Sequence, residues 1–315
     1  MAKHLDGKIA VVTGAGRGIG REIALAFAAE GAKVGVNDLG GGPDGAGASN
    51  EPADEVVSLI KKGGSDAIAI YESVATMTGG ERIIQAAVSK FGKIDILVHC
   101  AGILRDRMLF NMTEEEWDAV VNTHLKGMFA VSKPATILMR QQRSGRIIGF
   151  SSASGLYGNA GQVNYAAAKD GIASFIRTVA RDMGKYGCTV NGIAPAAMTR
   201  LTATVTQSAR DARARAGITP VMGEGARTQS RLRPRLDPKE ITPFVTYLCT
   251  PQAKDINGQM FYVQGGQISL MNSPYAARTM QKMGRWTIDE VASLFPSTLG
   301  KDFVNPAPPQ PAQPK

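Results

Sequence analysis

Residues 9–20 read IAVVTGAGRGIG, and this stretch decides the fold. Ile9–Thr13 is a short apolar run of the kind that forms a strand buried on both faces. It breaks into the glycine-rich string TGAGRGIG at 13–20, and residues 18–30 then carry a helical pattern. Working outward, the rhythm repeats. Strands are expected at Lys33–Asp38, Ala67–Tyr71 and Ile94–His99, with helices over Glu51–Lys62 and around Glu81–Phe91 between them. Further on, TEEEW opens a helix at Thr113 with a capping box, a Thr and a Glu three residues apart that satisfy each other's backbone N–H groups. Strands at Gly145–Ser151, Thr189–Ile193 and Gln259–Val263 alternate with helices over about 161–183 and 238–249. Short apolar strands alternating with amphipathic helices give an α/β fold, a doubly wound parallel sheet in a single domain.

Within that fold the glycine string acquires a chemical meaning. It lies where a strand turns into a helix, inside a βαβ unit, so its backbone can approach a pyrophosphate and the helix N-terminus can offer N–H groups to the charge. Asp38 ends the second strand, 18 residues after Gly20. Its carboxylate can accept from a ribose diol and would repel a 2′-phosphate, which favours NAD over NADP. Arg17, a cation inside the turn, pulls weakly the other way.

Ser152, Tyr165 and Lys169 lie in SSASGLYGNAGQVNYAAAK, thirteen and then four residues apart. A Tyr and a Lys at i and i+4 sit one above the other on a helix face, about 5–6 Å apart at Cβ. An ammonium held there favours the phenolate, so the Tyr165 pKa is expected to fall from its free value of about 10 towards working pH. Ser152, arriving from a strand end, can bind the same substrate oxygen. This set can take a proton from an alcohol or return one to a ketone.

Composition narrows the alternatives. The 315 residues are 43% hydrophobic and 20% charged, ample for a core, and no apolar run approaches the ~20 residues a membrane span needs. MAKHLDGKIAVV lacks the features of a signal peptide, so a cytoplasmic protein without membrane association is expected. Cys100, Cys188 and Cys249 are single and apolar-flanked, and His4, His99 and His124 are scattered, which suggests neither a disulfide framework nor a metal site. Much of the basicity behind the net charge of +9 is concentrated in Arg210–Arg235, without a nucleic-acid-binding motif, and fits a local anionic ligand or a solvated face better than DNA. One domain over 1–270 is expected, with 199–236 as an Arg-rich substrate lid. Residues 271–315 form an extension ending in a Pro-rich, disordered tail.

Together these residues resemble the short-chain dehydrogenase/reductase family, whose fold is a Rossmann sheet. TGAGRGIG is similar to that family's TGxxxGxG, CAG at 100–102 to its NNAG, and NGIAP at 191–195 to its nicotinamide-contacting turn. The resemblance implies that Ser152, Tyr165 and Lys169 are catalytic and that His124 takes the place of the family's catalytic Asn. It implies a cofactor site built from Gly14, Arg17, Gly18, Ile19, Gly20, Asp38, Ser73 and Val74. Ala101, Gly102, Tyr165, Lys169, Pro195, Ala196, Met198 and Thr199 complete that set. Asn122, two positions before His124, is expected to face elsewhere, Glu72 stands as a substitute adenine contact, and His99–Cys100 is expected to loosen the NNAG-like turn. VNDLGG, AGILRDR, SSASGLYGN and the segment near 286–291 are also similar to the dehydrogenase region of peroxisomal multifunctional enzymes type 2. That similarity implies an acyl-CoA or steroid substrate, with (3R)-hydroxyacyl-CoA favoured over a CoA-free 17β-hydroxysteroid. The family further implies a homodimer or homotetramer paired through helices near 113–140 and 161–183.

Overall fold

The computed structural model describes residues 3–199 and 236–302, so the Arg-rich stretch over 200–235 and the tail from 303 lie outside the described residues. Strands β1 (Ile9–Thr13), β2 (Lys33–Asn37), β3 (Ala67–Ile70), β4 (Ile96–His99), β5 (Gly145–Phe150), β6 (Cys188–Pro195), β7 (Met260–Gln264) and β8 (Gln267–Met271) form one sheet. Its order is β3-β2-β1-β4-β5-β6-β7-β8. The first seven run parallel and β8 returns antiparallel to β7. The sheet therefore carries one more strand than the sequence reading gave it. Gly265, at φ +51°, and Gly266 make the two-residue turn of that hairpin, and Gln264 pairs with Gln267 across it. Ile268 and Leu270 on β8 remain exposed, so no buried-strand signature marks this edge.

Two cores form because the parallel strands are covered on both faces. One face packs β1, β2 and β4 against α1 (Gly18–Ala29) and α2 (Glu51–Lys62). The other packs β1, β4, β5 and β6 against α3 (Met77–Phe91), α5 (Gly127–Gln142) and α7 (Val163–Gly184). Phe27, Ile23, Ile83, Ile84, Leu97 and Ile147 are among the largest side chains fully withdrawn from water. Each Leu, Ile or Phe so buried contributes about 1.5–3 kcal/mol.

The helix expected over 113–140 is not continuous. Thr113 caps α4 (Glu114–Val121) with the full capping box to Glu116, but Asn122–Lys126 then forms a π turn before α5 begins. Pro134 inside α5 has no N–H to give Ala130, four residues back, and that carbonyl lies where a side chain on Gly80 of α3 would need to be, 2.3 Å from its Cβ. A glycine there lets the two helices close. Among the described residues, the short helices α6 (Ala153–Tyr157), α8 (Thr242–Leu248) and α9 (Ile288–Leu294) complete the set of α-helices.

Candidate active site

At the carboxyl ends of the parallel strands, where the order reverses between β1 and β4, lies a cleft of about 800 Å³. This is the place in a doubly wound sheet where strand ends diverge and leave room for a ligand.

The glycine turn forms one wall. Gly14 has φ +64°, and a Cβ there would stand 2.7 Å from the Ala101 backbone; on Gly20 it would stand 2.2 Å from the Gly14 carbonyl. Side chains are thus excluded and the backbone is open to the cleft. Helix α1 starts with no acidic residue in its first turn and no side-chain cap from Arg17, which leaves its N–H groups for an anion. The residues present fit a dinucleotide diphosphate. Asp38 sits beside this turn, its Oδ2 accepting from Gly16 N–H and its Oδ1 from Gly40 N–H, each at 2.7 Å. The carboxylate is thereby fixed while each oxygen keeps a further lone pair.

Gly14, Arg17, Gly18, Ile19 and Gly20 all border the cleft with Asp38. So do Ser73, Val74, Ala101, Gly102, Pro195 and Thr199. Ala196 and Met198 do not. Their N–H groups donate to Val263 O in β7 (2.9 Å) and to Leu236 O (2.7 Å). Glu72, the expected substitute for an adenine contact, borders the cleft and pairs its carboxylate with Arg82 at 3.6 Å.

Ser152, Tyr165 and Lys169 come together on the opposite wall. Ser152 leaves β5 as the N-cap of α6, its Oγ accepting from Ser154 N–H at 3.1 Å. Tyr165 and Lys169 lie one turn apart on α7, the Lys169 Nζ 5.5 Å from the phenol ring centroid and donating to Phe150 O at 2.7 Å. The acidities differ from the sequence expectation. Burial pushes Tyr165 up to about 12, against a lowering by its hydrogen bond with Ser152 and a further rise from the Asp106 charge. Burial likewise draws Lys169 down to about 8. In this state desolvation decides, so the phenol stays protonated at neutral pH.

His124 sits in the π turn, 1% exposed, with its ring edge-on to Tyr165 at 5.1 Å between centroids and 85° between planes. Its Nε2 lies 2.8 Å from Ile103 O, and its Nδ1 is buried without a hydrogen-bond partner. Burial lowers its pKa well below the usual histidine value. Asn122, expected to face away, borders the same cleft, because the turn here is wider than an α turn. The NNAG-like turn is not loosened either. Thr13 Oγ1 accepts from Cys100 N–H at 3.2 Å and Ala101 N–H at 3.3 Å, and His99 bonds both Thr13 and the His124 carbonyl.

Sequence reasoning did not single out Gln162, which is 5% exposed. Its Oε1 accepts from Ser154 Oγ (2.9 Å) and Asn159 Nδ2 (2.8 Å), and its Nε2 donates to Asp106 Oδ2 (2.8 Å). This network fixes the segment that presents Ser152 to Tyr165. A buried glutamine leaves no periodic signal; its place three residues before Tyr165 is the one available hint. Among the described residues no group of three His, Cys, Asp or Glu could hold a metal, and no helix is long and apolar enough to cross a membrane.

Comparisons with known proteins bear on this geometry. The family model described as short chain dehydrogenase matches residues 8–213. The peroxisomal multifunctional enzyme type 2 of Drosophila melanogaster is 46% identical over 79% of this chain, which spans 38% of that enzyme's length. The hydroxyacyl-CoA dehydrogenase ChsB1 of Mycobacterium tuberculosis is 37% identical over 95% of this chain and 90% of its own. A crystal structure of a short chain dehydrogenase from Mycobacterium avium superposes with a TM-score of 0.78 at 39% identity, covering 98% of both chains. A glycine turn at the switch point and a serine, a tyrosine and a lysine bordering the same cleft thus accompany sequence similarity along nearly the whole chain, which belongs to the short-chain dehydrogenase family and is an oxidoreductase using a nicotinamide dinucleotide.

Proposed function

We propose that the protein oxidises a secondary alcohol to a ketone with NAD, and that its substrate is a (3R)-hydroxyacyl-CoA. The carrying observation is the convergence of Ser152, Tyr165 and Lys169 on one wall of a cleft whose other wall is the glycine turn with Asp38. When bound, the cofactor supplies the hydride acceptor. The chain's own residues do the rest. Ser152 and Tyr165 hold the substrate oxygen, and Tyr165, deprotonated in the reacting complex, takes its proton. Lys169, a cation close to the ring, favours that phenolate over the phenol. His124, edge-on to Tyr165 with one ring nitrogen unspent, is the candidate to continue a proton path from the site. Asp38 keeps lone pairs for a ribose diol, and its negative charge disfavours a 2′-phosphate; this supports NAD over NADP. The name of the mycobacterial relative, a hydroxyacyl-CoA dehydrogenase, supports the acyl-CoA substrate.

The test is a substrate panel with NAD⁺ and NADP⁺. Oxidation of (3R)-hydroxyacyl-CoA with NAD⁺ is expected, with the (3S) isomer turned over far more slowly. Preference for a 17β-hydroxysteroid would replace the CoA-ester reading with a CoA-free one. In the Tyr165→Phe protein, turnover is lost while NADH still binds; retained turnover would sink the assignment of Tyr165.

A further inference from the structure

Two imidazoles lie buried behind the cleft, each 1% exposed: His99 at the end of β4 and His124 in the π turn. Hydrogen-bond accounting places the protons on His99. Its Nε2 is 3.1 Å from the His124 carbonyl oxygen, and a carbonyl can accept but never donate, so Nε2 carries a hydrogen. Burial, aided by the nearby Lys169 charge, holds His99 down at about 3, so its ring is neutral and Nδ1 is a bare lone pair. Thr13 Oγ1, 3.0 Å away, must then donate to Nδ1. The same oxygen accepts from Cys100 N–H (3.2 Å) and Ala101 N–H (3.3 Å), which uses its donor and both its acceptor sites. Thr13 is the first residue of the glycine string. The bonds thus run from the head of that turn, through the His99 ring, into the backbone of the π turn.

From the π turn the ring of His124 carries the connection onward. Its Nε2 lies 2.8 Å from Ile103 O and 3.1 Å from Ile103 N, just past Ala101 and Gly102, and its ring edge meets Tyr165. Two glycines make the space. A Cβ on Gly102 would stand 2.2 Å from His124 Cε1, and one on Gly127 would stand 3.1 Å from His99 Cε1.

We propose that His99, fixed as its Nε2–H tautomer, is a positioning residue that couples the glycine turn to Tyr165 through the π turn and the ring of His124. The inference rests on Tyr165 being the proton-transfer group. His99 does not itself line the cleft; held by Thr13 at the head of the glycine turn, it decides where the π turn sits, and with it the ring that packs on Tyr165 and holds Ile103. The two histidines therefore act as one unit, and losing either releases the same contact.

The full-length protein, its His99→Phe and His124→Phe variants and the double variant test this. With secondary structure retained by circular dichroism, His99→Phe is expected to lower kcat about 10–100-fold, the range a displaced reacting group produces. KM for the alcohol and NADH affinity should stay within about threefold, as for an interaction felt mainly in the transition state. The double variant should lose about as much kcat as the worse single one, because coupled residues are not additive. Losses that multiply, or a His99→Phe kcat within about twofold of the parent, overturn the coupling. Should His99→Phe fail to fold, the parent protein labelled with ¹⁵N-histidine decides. His99 is expected to show a protonated Nε2 and a bare Nδ1, unchanged from about pH 5 to 8, the range in which an ordinary histidine titrates. An Nδ1–H tautomer, or a midpoint in that range, overturns it. This spectrum does not depend on turnover, so a failed Tyr165→Phe prediction would be told apart from a failed strut.

Discussion

At the amino-terminal edge of the parallel strands, the buried Asp95 carboxylate accepts from Ile9 N–H at 2.8 Å and meets the Lys93 ammonium at 2.9 Å. At the carboxyl-terminal edge, Lys169 is 5% exposed and, among the described residues, makes no ion pair; its ammonium donates to Phe150 O. The first edge is closed around a cavity of about 20 Å³, whereas the second opens into one of about 800 Å³. A buried charge with its partner in place is a structural device. A buried charge without a counter-ion is costly, and a fold keeps one where chemistry uses it. The same sheet thus spends its polar groups on cohesion at one end and holds them in reserve at the other.

Lys169→Met should have the largest effect. Removing the cation beside a general base is expected to lower kcat by about 10²–10⁴-fold while the protein remains folded. Asp95→Ala should do the reverse, leaving kcat near the parent value and costing about 1–3 kcal/mol, because Ile9 N–H loses its buried acceptor. Steady-state kinetics and urea unfolding separate the two. A Lys169→Met enzyme of normal kcat, or an Asp95→Ala protein of normal stability, would break the contrast between the edges. Gly102→Ala sharpens it. A Cβ 2.2 Å from His124 Cε1 forces the ring to move, at a cost of about 1–3 kcal/mol, and kcat should fall with stability. At an edge serving cohesion alone, stability would fall without kcat.

The sequence made the closed parts of this molecule easier to read than the open ones. Strand β1 and helix α2 begin and end where their apolar patterns do, because burial on both faces leaves an unbroken run and a helix shows its stripe. The π turn was illegible: NTHLKG continues a helical pattern, and the extra residue per turn is set by packing on His99 and Tyr165. Strand β8 hid for the opposite reason. Its alternating Ile268 and Leu270 look outward, although the Gly265–Gly266 pair before them is a hairpin signal. At the site, Ser152, Tyr165 and Lys169 were visible from spacing. The raised acidity threshold of Tyr165 was not, because i and i+4 spacing reports proximity to Lys169 but says nothing of the desolvation that decides it. Gln162 and Thr13 were hidden as well, since a residue that orients others carries no pattern of its own.

The smallest expected effect is also the most diagnostic, because the three basic groups at the open edge, Lys169, His99 and His124, shift stability in one direction. Lys169 titrates near 10.5 when unfolded and at about 8 when folded. Between those values the unfolded chain holds a proton that the native protein does not, so stability rises with pH from about 8 towards 10.5. His99, ordinarily near 6.5, is held at about 3, and His124 is lowered in the same sense. As pH falls below 6.5 the unfolded chain takes up these protons first, and stability falls. The slope is about 1 kcal/mol per pH unit per group in each window, with a plateau near neutrality. Above pH 9 the buried thiols of Cys100, Cys188 and Cys249, and above pH 10 Tyr165, all raised by burial, work in the opposite sense, so the alkaline limb is read between about 8 and 9. Urea midpoints followed from about pH 5 to 10 give the curve. Lys169→Met should flatten the alkaline limb and leave the acid limb intact; His99→Phe should lessen the acid limb alone. If Lys169→Met leaves the alkaline slope unchanged, the ammonium is solvated in solution, and the open edge carries no reserve of buried charge.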